Sequence, residues 1–569
     1  MANKGKQSRN RKKSWIIAGS ILFIVIIILV GVNSYLGLKI KSLIGSEVNK
    51  NPESIYSVHY KKIRVNIYTG SIHIKDLVIK PRKGKIDSLD GYENRPSFYA
   101  KIKSFNINHI HILDFLETKK LHVKNIKVND IDLELFIDKS TTQVEPTKTQ
   151  EPINILTEAF RGILVNNIFL NNLHLKVSNI NKLDKALLNL HSLSISFSDV
   201  LLDSTTVTNP IPISIGSLNL KTKELVYNSM EFYTISSTGF DFTLKDSTLK
   251  INNFKLTPKY SKAVYNKKIK YENDLFSIST EEIILHRVQL LKLFYDKVLV
   301  FPHLDIIKPD IDIYRDKQLP SAPYKYKPLL ASILKKIPVP FIIDTLTIKK
   351  GKLVYGEKHS IANKPGEIIF TDLYLTGYNF TNDVKHIYNK AKLQLDLSAK
   401  LMGEATMKIN FQFNLKKPGD HFNVKGEMGS INGKKLNKMV ENLLLVKIQS
   451  ADIHSASFHF IANDNQATGE MKMDYENLKI KVLKQEKGKE YKTFSFLANG
   501  LIHKNNLPGS PKYKTGIIHF IRDKNKALPN YLWKSIQSGL VSIVATIVES
   551  KQQKEIRKKK KKKRRKKKS

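Results

Sequence analysis

From residue 55 onward apolar and polar side chains alternate, the period of a strand with one buried face. Ile72 and Ile74, Leu173, Leu175 and Val177, Leu193, Ile195 and Phe197, and Leu393, Leu395 and Leu397 follow this rule. Gly, Asn, Asp and Pro punctuate the runs at short intervals, as turns require. Amphipathic helical windows are few: 37–50, 152–162, 433–446 and 529–556. The pattern predicts a mainly β chain with short loops, apart from the polar stretch Ser140 to Pro152, read as a linker or insertion.

Comparing the chain with itself adds a repeat. VNIYTGSIHIKDLVIKP (65–81) aligns without a gap to FTLKDSTLKINNFKLTP (242–258), so that Ile72, Ile74, Leu77 and Ile79 fall on Leu249, Ile251, Phe254 and Leu256. Tyr92-Glu93-Asn94 returns as Tyr271-Glu272-Asn273, and residues 113–139 align without a gap to 291–317. A partial third copy is expected to begin at Phe341, in FIIDTLTIKKGKLVYGEK. The shared unit is apolar at i, i+2, i+5 and i+7: two alternating runs out of phase by one residue, as at a tight turn or a bulge. Each unit therefore has one apolar and one polar or basic face. With so few helices to cover it, the apolar face packs on a second sheet or curls into an open groove.

Residues Trp15 to Val32 form an uncharged run of 18. With Asn33 to Leu38 it is long enough to span a hydrocarbon layer of roughly 30 Å. Trp15 and Tyr35 bracket it, and Ile24 and Leu29 lie within it. Six basic residues precede the run, between Lys4 and Lys13, and only Lys39 and Lys41 follow before Lys50. The positive-inside rule then keeps the N-terminus cytosolic and exports the rest. A cleaved signal peptide is the alternative, but the run is long and Val32-Asn33-Ser34-Tyr35 is a poor cleavage site.

Charge sharpens this picture. The chain has 569 residues, too many for one ordinary core, with 95 Lys and Arg against 51 Asp and Glu. That balance favours anionic partners. At the far end, Pro529 to Ile556 reads as a helix with Leu532, Trp533, Ile536, Leu540, Ile543, Val544 and Ile547 on one stripe. It runs into the basic tail 557–568, which includes Arg557, Lys558, Lys559, Lys560, Arg564 and Arg565. Such an end either touches an anionic membrane or caps the last strands ahead of a solvated tail. Export of the tail argues against nucleic acid.

Catalytic signals are poor. There is no cysteine, and no nucleotide loop, dinucleotide fingerprint, H-E-x-x-H or G-x-S-x-G elbow. His109 and His111 stand two apart on a predicted strand and would share a face, but no third metal ligand accompanies them. Asp310 and Asp312 look like a carboxylate pair, yet Asp132 and Glu134 hold the same places in the first copy, which argues for a structural role. The chain reads as a non-enzyme without a cofactor.

At these units the sequence resembles the AsmA-like family of bacterial inner-membrane-anchored envelope proteins, relatives of the bridge-like lipid-transfer proteins. The likeness rests on the basic leader and apolar span, the repeated unit at 65–81 and 242–258, FIIDTLTIKKGKLVYGEKHS with IIFTDLYLTGYNF (341–360, 368–380), and the closing set INGKKLNKMVENLLL, IHSASFHF and ATGEMKMDYENLKIKVL (431–445, 453–460, 467–483). The resemblance implies a long, curled antiparallel sheet with an apolar groove, anchored in the inner membrane and projecting into the periplasm. It further implies binding or conduction of phospholipid between inner and outer membrane, in support of outer-membrane lipid balance. Candidate groove residues are Ile72, Ile74, Leu77, Ile79, Val123, Leu133, Leu249, Ile251, Phe254, Leu256, Ile348 and Leu353. The expected layout is a leader (1–14), a membrane helix (15–38), a short helical segment (39–54), a first β repeat (55–150), a β segment (151–225), a second repeat (226–330), a C-terminal β region (331–500), terminal strands with the amphipathic helix (501–556) and the tail (557–569). The alternative function is a scaffold that assists outer-membrane or surface-protein assembly through exposed strand edges. Binding of anionic polymers through the basic faces is a third.

Overall fold

A computed structural model describes residues 56–66, 69–81, 97–137, 161–179, 182–206, 213–228, 230–359, 364–483 and 500–545. The expected membrane helix with Trp15, Ile24, Leu29 and Tyr35, the segment 39–54, the linker, most of the 152–162 window, and the tail with Arg557, Lys558, Lys559, Lys560, Arg564 and Arg565 lie outside the described residues. Among the described residues no helix is long and apolar enough to cross a membrane. The protein is mainly β, as the alternation requires. It divides into two compact units, Met1–Phe254 and Lys255–Ser569, with the boundary inside one strand.

In the first unit β1 (Tyr56–His59) and β2 (Lys62–Asn66) both pair antiparallel with β3 (Ser71–Pro81). Next come β4 (Ser97–Ile110), helix α1 (Ile112–Thr118), β5 (Lys120–Ile137), β6 (Gly162–Asn179) and β7 (Lys182–Asp203). These pair antiparallel in sequence, except that β5 and β6 run parallel. β8 (Ser217–Lys221), β9 (Glu224–Tyr227), β10 (Tyr233–Ser237), β11 (Gly239–Thr243) and β12 (Thr248–Pro258) follow, with β8 held between β7 and β11.

The phase break in the repeat has a simple cause. Asp76 adopts the left-handed φ of 52° while the register with β4 stays unbroken, Lys75 with Ser104 and Leu77 with Ile102, so the side-chain direction flips at that residue and the alternation restarts without a turn or a bulge. This single left-handed residue keeps Ile72, Ile74, Leu77 and Ile79 on one buried face. Asn253 (φ 46°) does the same in β12 between Ile251 and Phe254. At the hairpin before β3, Gly70 (φ 56°) hydrogen-bonds Ile110 so closely that a Cβ there would strike the Ile110 carbonyl.

The second unit opens with α2 (Lys262–Lys268), β13 (Asp274–His286), α3 (Leu290–Tyr295), β14 (Leu299–Val300), β15 (His303–Ile307), β16 (Asp310–Asp316), α4 (Leu330–Lys335), β17 (Phe341–Lys358) and β18 (Gly366–Thr381). These one- and two-turn helices leave no periodicity for a sequence to show. The repeat reaches further than the alignment suggested. Left-handed residues recur in order: His109 and Arg287, Lys119 and Lys297, Asp130 and Lys308, Asn172 and Lys350, Ser192 and Asp372, Asp199 and Asn379. The parallel joint recurs as well, with β14, β15 and β16 alongside β17, and in both copies the joined residues lie 42 apart (Asn129 with Asn171, Asp310 with Lys352).

Two expectations are corrected here. The segment from Phe341 does not start a third copy; as β17 it takes the place of β6 and continues the second. Nor is the sheet wholly antiparallel. Each parallel joint follows a long connection, one of which carries α4, rather than a tight turn, and only such a crossover returns a strand in the same direction.

The unit closes with α5 (Val384–Asn389), β19 (Lys392–Leu401), β20 (Ala405–Asn414), β21 (Phe422–Met428), β22 (Ile431–Asn432), a 3-10 turn (Gly433–Leu436), α6 (Asn437–Leu444), β23 (Val446–Ala462), β24 (Gln466–Val482), β25 (Gly516–Ile521) and α7 (Leu528–Val544). β18 to β21 and β23 to β25 form an antiparallel meander. Of its predicted stripe, α7 fully buries only Ile543 among the described residues. Its packed face is Tyr531, Ser535, Gly539, Ser542 and Ile543, while Leu532, Trp533, Ile536 and Leu540 are half-buried beside it. Small residues are needed because helix and strand backbones nearly touch: a Cβ on Gly516 would strike the Gly539 carbonyl. Ser542 Oγ accepts from the Ile517 N–H at 3.1 Å and Ser538 Oγ from the His519 N–H at 3.1 Å, so the helix satisfies the outer edge of β25. A side chain at Gly539 would meet Ile518 at 2.9 Å and Met471 at 3.0 Å. Gly539→Leu should therefore cost about 1–3 kcal/mol by overpacking, measured by urea unfolding.

Candidate lipid-binding face

Strand pairing brings the candidate groove residues onto the apolar face of each unit. Ile72 lies opposite Ile107 and Ile74 opposite Phe105. Val123 pairs with Ile110 and Val165, and Leu133 with Ala100 and Leu175. In β12 Leu249 faces Phe242 and Ile251 faces Phe240. In β17 Ile348 lies between Ile306 and Leu375, and Leu353 between Ile311 and Phe370.

The two copies treat this face differently. In the first, it is filled by its own side chains: Ile74, Ile107 and Val128 are each 0% exposed, and Ile72, Leu77, Ile79 and Val123 are buried in the same cluster, with Leu133 partly buried against it. In the second, Leu249, Ile251, Phe254 and Leu256 are only half-buried. The same holds inside the second unit. Ile283, Leu285, Leu304 and Ile306 occupy the places of Phe105, Ile107, Ile126 and Val128, yet all four are half-buried, as are Ile348 and Leu353. Apolar surface left in that condition costs roughly 25 cal/mol per Å² relative to burial.

A polar cluster ends the apolar face of the second unit. Two residues beyond Ile313, Arg315 lies opposite Asp274 on one side and Glu357 on the other. Its guanidinium grips Asp274 with two bonds of 2.7 and 2.6 Å. Burial alone would lower the basicity of Arg315, but the adjacent Asp274 carboxylate overrides it and raises it. Tyr355 donates to Glu357 at 2.9 Å, and Lys317 pairs with Glu357 at 2.7 Å. Burial, and then the Glu357 charge, push the Tyr355 phenol upward, so it remains a donor at neutral pH. Nothing in the alternation pointed to this cluster, although Arg315 and Tyr355 stand where the first copy has Ile137 and Val177.

The remaining sequence candidates separate. His109 adopts φ 55° at the end of β4, which breaks the alternation, so His109 and His111 do not act as a pair on one face. His111 instead stacks on His122 with centroids 4.1 Å apart, while His109 lines a shallow cleft with Lys62, Arg64 and His73. Asp310 and Asp312 point outward and pair with Lys352 at 3.4 Å and Lys262 at 3.6 Å. Trp533 is half-buried on α7.

Fold and face together define a mainly β protein with a duplicated strand unit, one apolar face per copy and a closing meander. The chain matches no protein-family model, and no curated protein matches it in sequence.

Proposed function

We propose that the protein is an AsmA-like, non-enzymatic lipid handler that binds or conducts phospholipid along the apolar β face as a groove. In this reading the N-terminal run holds it in the bacterial inner membrane, with the bulk in the periplasm, and the protein supports lipid balance in the outer membrane. The observation that carries the reading is the half-buried apolar face around Ile306 and Ile348, set against the filled face of the first copy. Acyl chains would supply the missing cover while headgroups stay in water, and no catalytic step is required. The scaffold alternative needs open strand edges, and the β25 edge is taken by α7.

The test is direct. Phospholipid should be found by mass spectrometry in extracts of the detergent-purified protein. Ile348→Glu and Ile251→Glu should each cut the bound amount several-fold with little change in the circular dichroism spectrum. Protein free of phospholipid, or variants that carry as much as the parent, would sink the reading. The tail offers a second test: a chain ending at Ser550 should bind anionic vesicles several-fold more weakly, because each basic residue near the lipid is worth about 1 kcal/mol. Equal binding would leave α7 and the tail with a capping role alone.

A further inference from the structure

The opposite, polar face of the second unit carries a side-chain cluster that the lipid reading does not use. His286 on β13 and His303 on β15 lie directly opposite each other, and Asp305 is two residues further along β15. His286 Nε2 is 3.1 Å from Asp305 Oδ2, and His303 Nε2 is 3.1 Å from Asp305 Oδ1. The three ligand atoms lie within 4.8 Å of one another. Asp305 is only 6% exposed and also accepts hydrogen bonds from Thr347 Oγ1 and, at 3.0 Å, from Lys349. Burial would raise its carboxyl, but these donors hold it well below the usual carboxylate range, so it is an anion.

We propose that His286, His303 and Asp305 form a binding site for a divalent transition cation of the zinc class. Two imidazoles and a carboxylate are the donor set such an ion takes, with bonds of about 2.0–2.2 Å. Donors on a tetrahedral ion with those bonds stand roughly 3.3 Å apart, and each imidazole nitrogen already lies 3.1 Å from one oxygen of Asp305. The imidazole side chains are 36% and 31% exposed, which leaves a way in and room for water as a fourth ligand. Thr347 fixes the carboxylate from the neighbouring strand, the kind of outer support that metal-binding carboxylates receive. The cluster also belongs to one copy alone. The matching positions of the first copy hold Asn108, Asn125 and Lys127, which offer no such donor set. A device needed only to hold the repeated sheet together would have no reason to differ. Lys349 competes with the ion for Asp305 and must swing away as it binds.

The full chain should bind one equivalent of Co2+ at this site, read from its visible absorption and reversed by Zn2+. His286→Asn with His303→Asn should weaken Co2+ binding at least tenfold while the circular dichroism spectrum is kept. Lys349→Met should tighten it several-fold by removing the competing ammonium. His111→Asn with His122→Asn, which removes the exposed group around Asp114, should leave the signal in place. Absence of saturable Co2+ binding would overturn the proposal, as would binding that survives the His286 and His303 changes or is lost with His111 and His122.

Discussion

Ile74→Asp removes the cooperative fold of the first unit. Ile74 is 0% exposed in an apolar cluster fed by β3, β4, β5 and β6. An unpaired carboxylate there must either stay ionised in a dry interior or take up a proton, and both are costly. A loss of about 4 kcal/mol or more is expected, a large share of the 5–15 kcal/mol that holds a domain together. Ile74→Ala, which only opens a cavity, should cost about 2–5 kcal/mol. Urea unfolding monitored by circular dichroism checks both. An aspartate variant as stable as its parent would show that the first copy is open. The contrast with Ile348→Glu matters for function, since a charge at Ile74 tests folding while a charge at Ile348 tests what covers the second face.

The second large effect lies in the closing meander. The Arg522 side chain is fully buried; it pairs with Asp464, donates to the Lys327 carbonyl and lies over the rings of Tyr326 and Tyr531, 5.6 and 5.8 Å from their centroids. Asp464 also accepts from Tyr326 Oη at 2.8 Å and pairs with Lys524 at 3.2 Å. This one guanidinium therefore ties the stretch before α4 to β25. Arg522→Met should cost about 3 kcal/mol, because it leaves a largely buried carboxylate with only Lys524 and Tyr326 and takes the donor from the Lys327 carbonyl. Asp464→Asn added to Arg522→Met should recover part of that loss, since it removes the weakly compensated charge. Measured by urea unfolding, a double variant no more stable than Arg522→Met alone would mean the arginine acts through packing and not through its ion pair.

Much of this fold was legible in the sequence because side-chain period reports which face a residue occupies. The apolar positions at i, i+2, i+5 and i+7 marked the phase break at Asp76 and its copy at Asn253, but its cause is a left-handed residue in a continuous strand and not the expected turn or bulge. The same period is silent about direction, since β6 and β17 would alternate identically whether they ran parallel or antiparallel to their neighbours. Segment 341–358 was therefore placed in the wrong part of the repeat. Pattern also misjudged α7, where the packed face is chosen by how near two backbones come and not by hydrophobicity, so Gly539 and Ser542 outrank Leu532 and Ile536. The His286, His303 and Asp305 cluster was hidden for a third reason. Its members come from two strands joined through α3, and only strand register sets them side by side. Sequence reasoning picked His109 and His111 on spacing alone, and a left-handed residue undid that spacing. What the alternation could not express at all was the degree of cover, the difference between Ile74 and Ile348 that the functional reading rests on.

The hydroxyls of Ser538 and Ser542 close the β25 end of the sheet. A β-sheet is a template that copies itself wherever a row of N–H groups stands open, and in this unit the copying stops at two serines on a helix. Growth of an ordered aggregate from this end first requires α7 to peel away. The helix is thus the chain terminator of the sheet, and loosening it with Gly539→Leu would convert a folded end into a growing one.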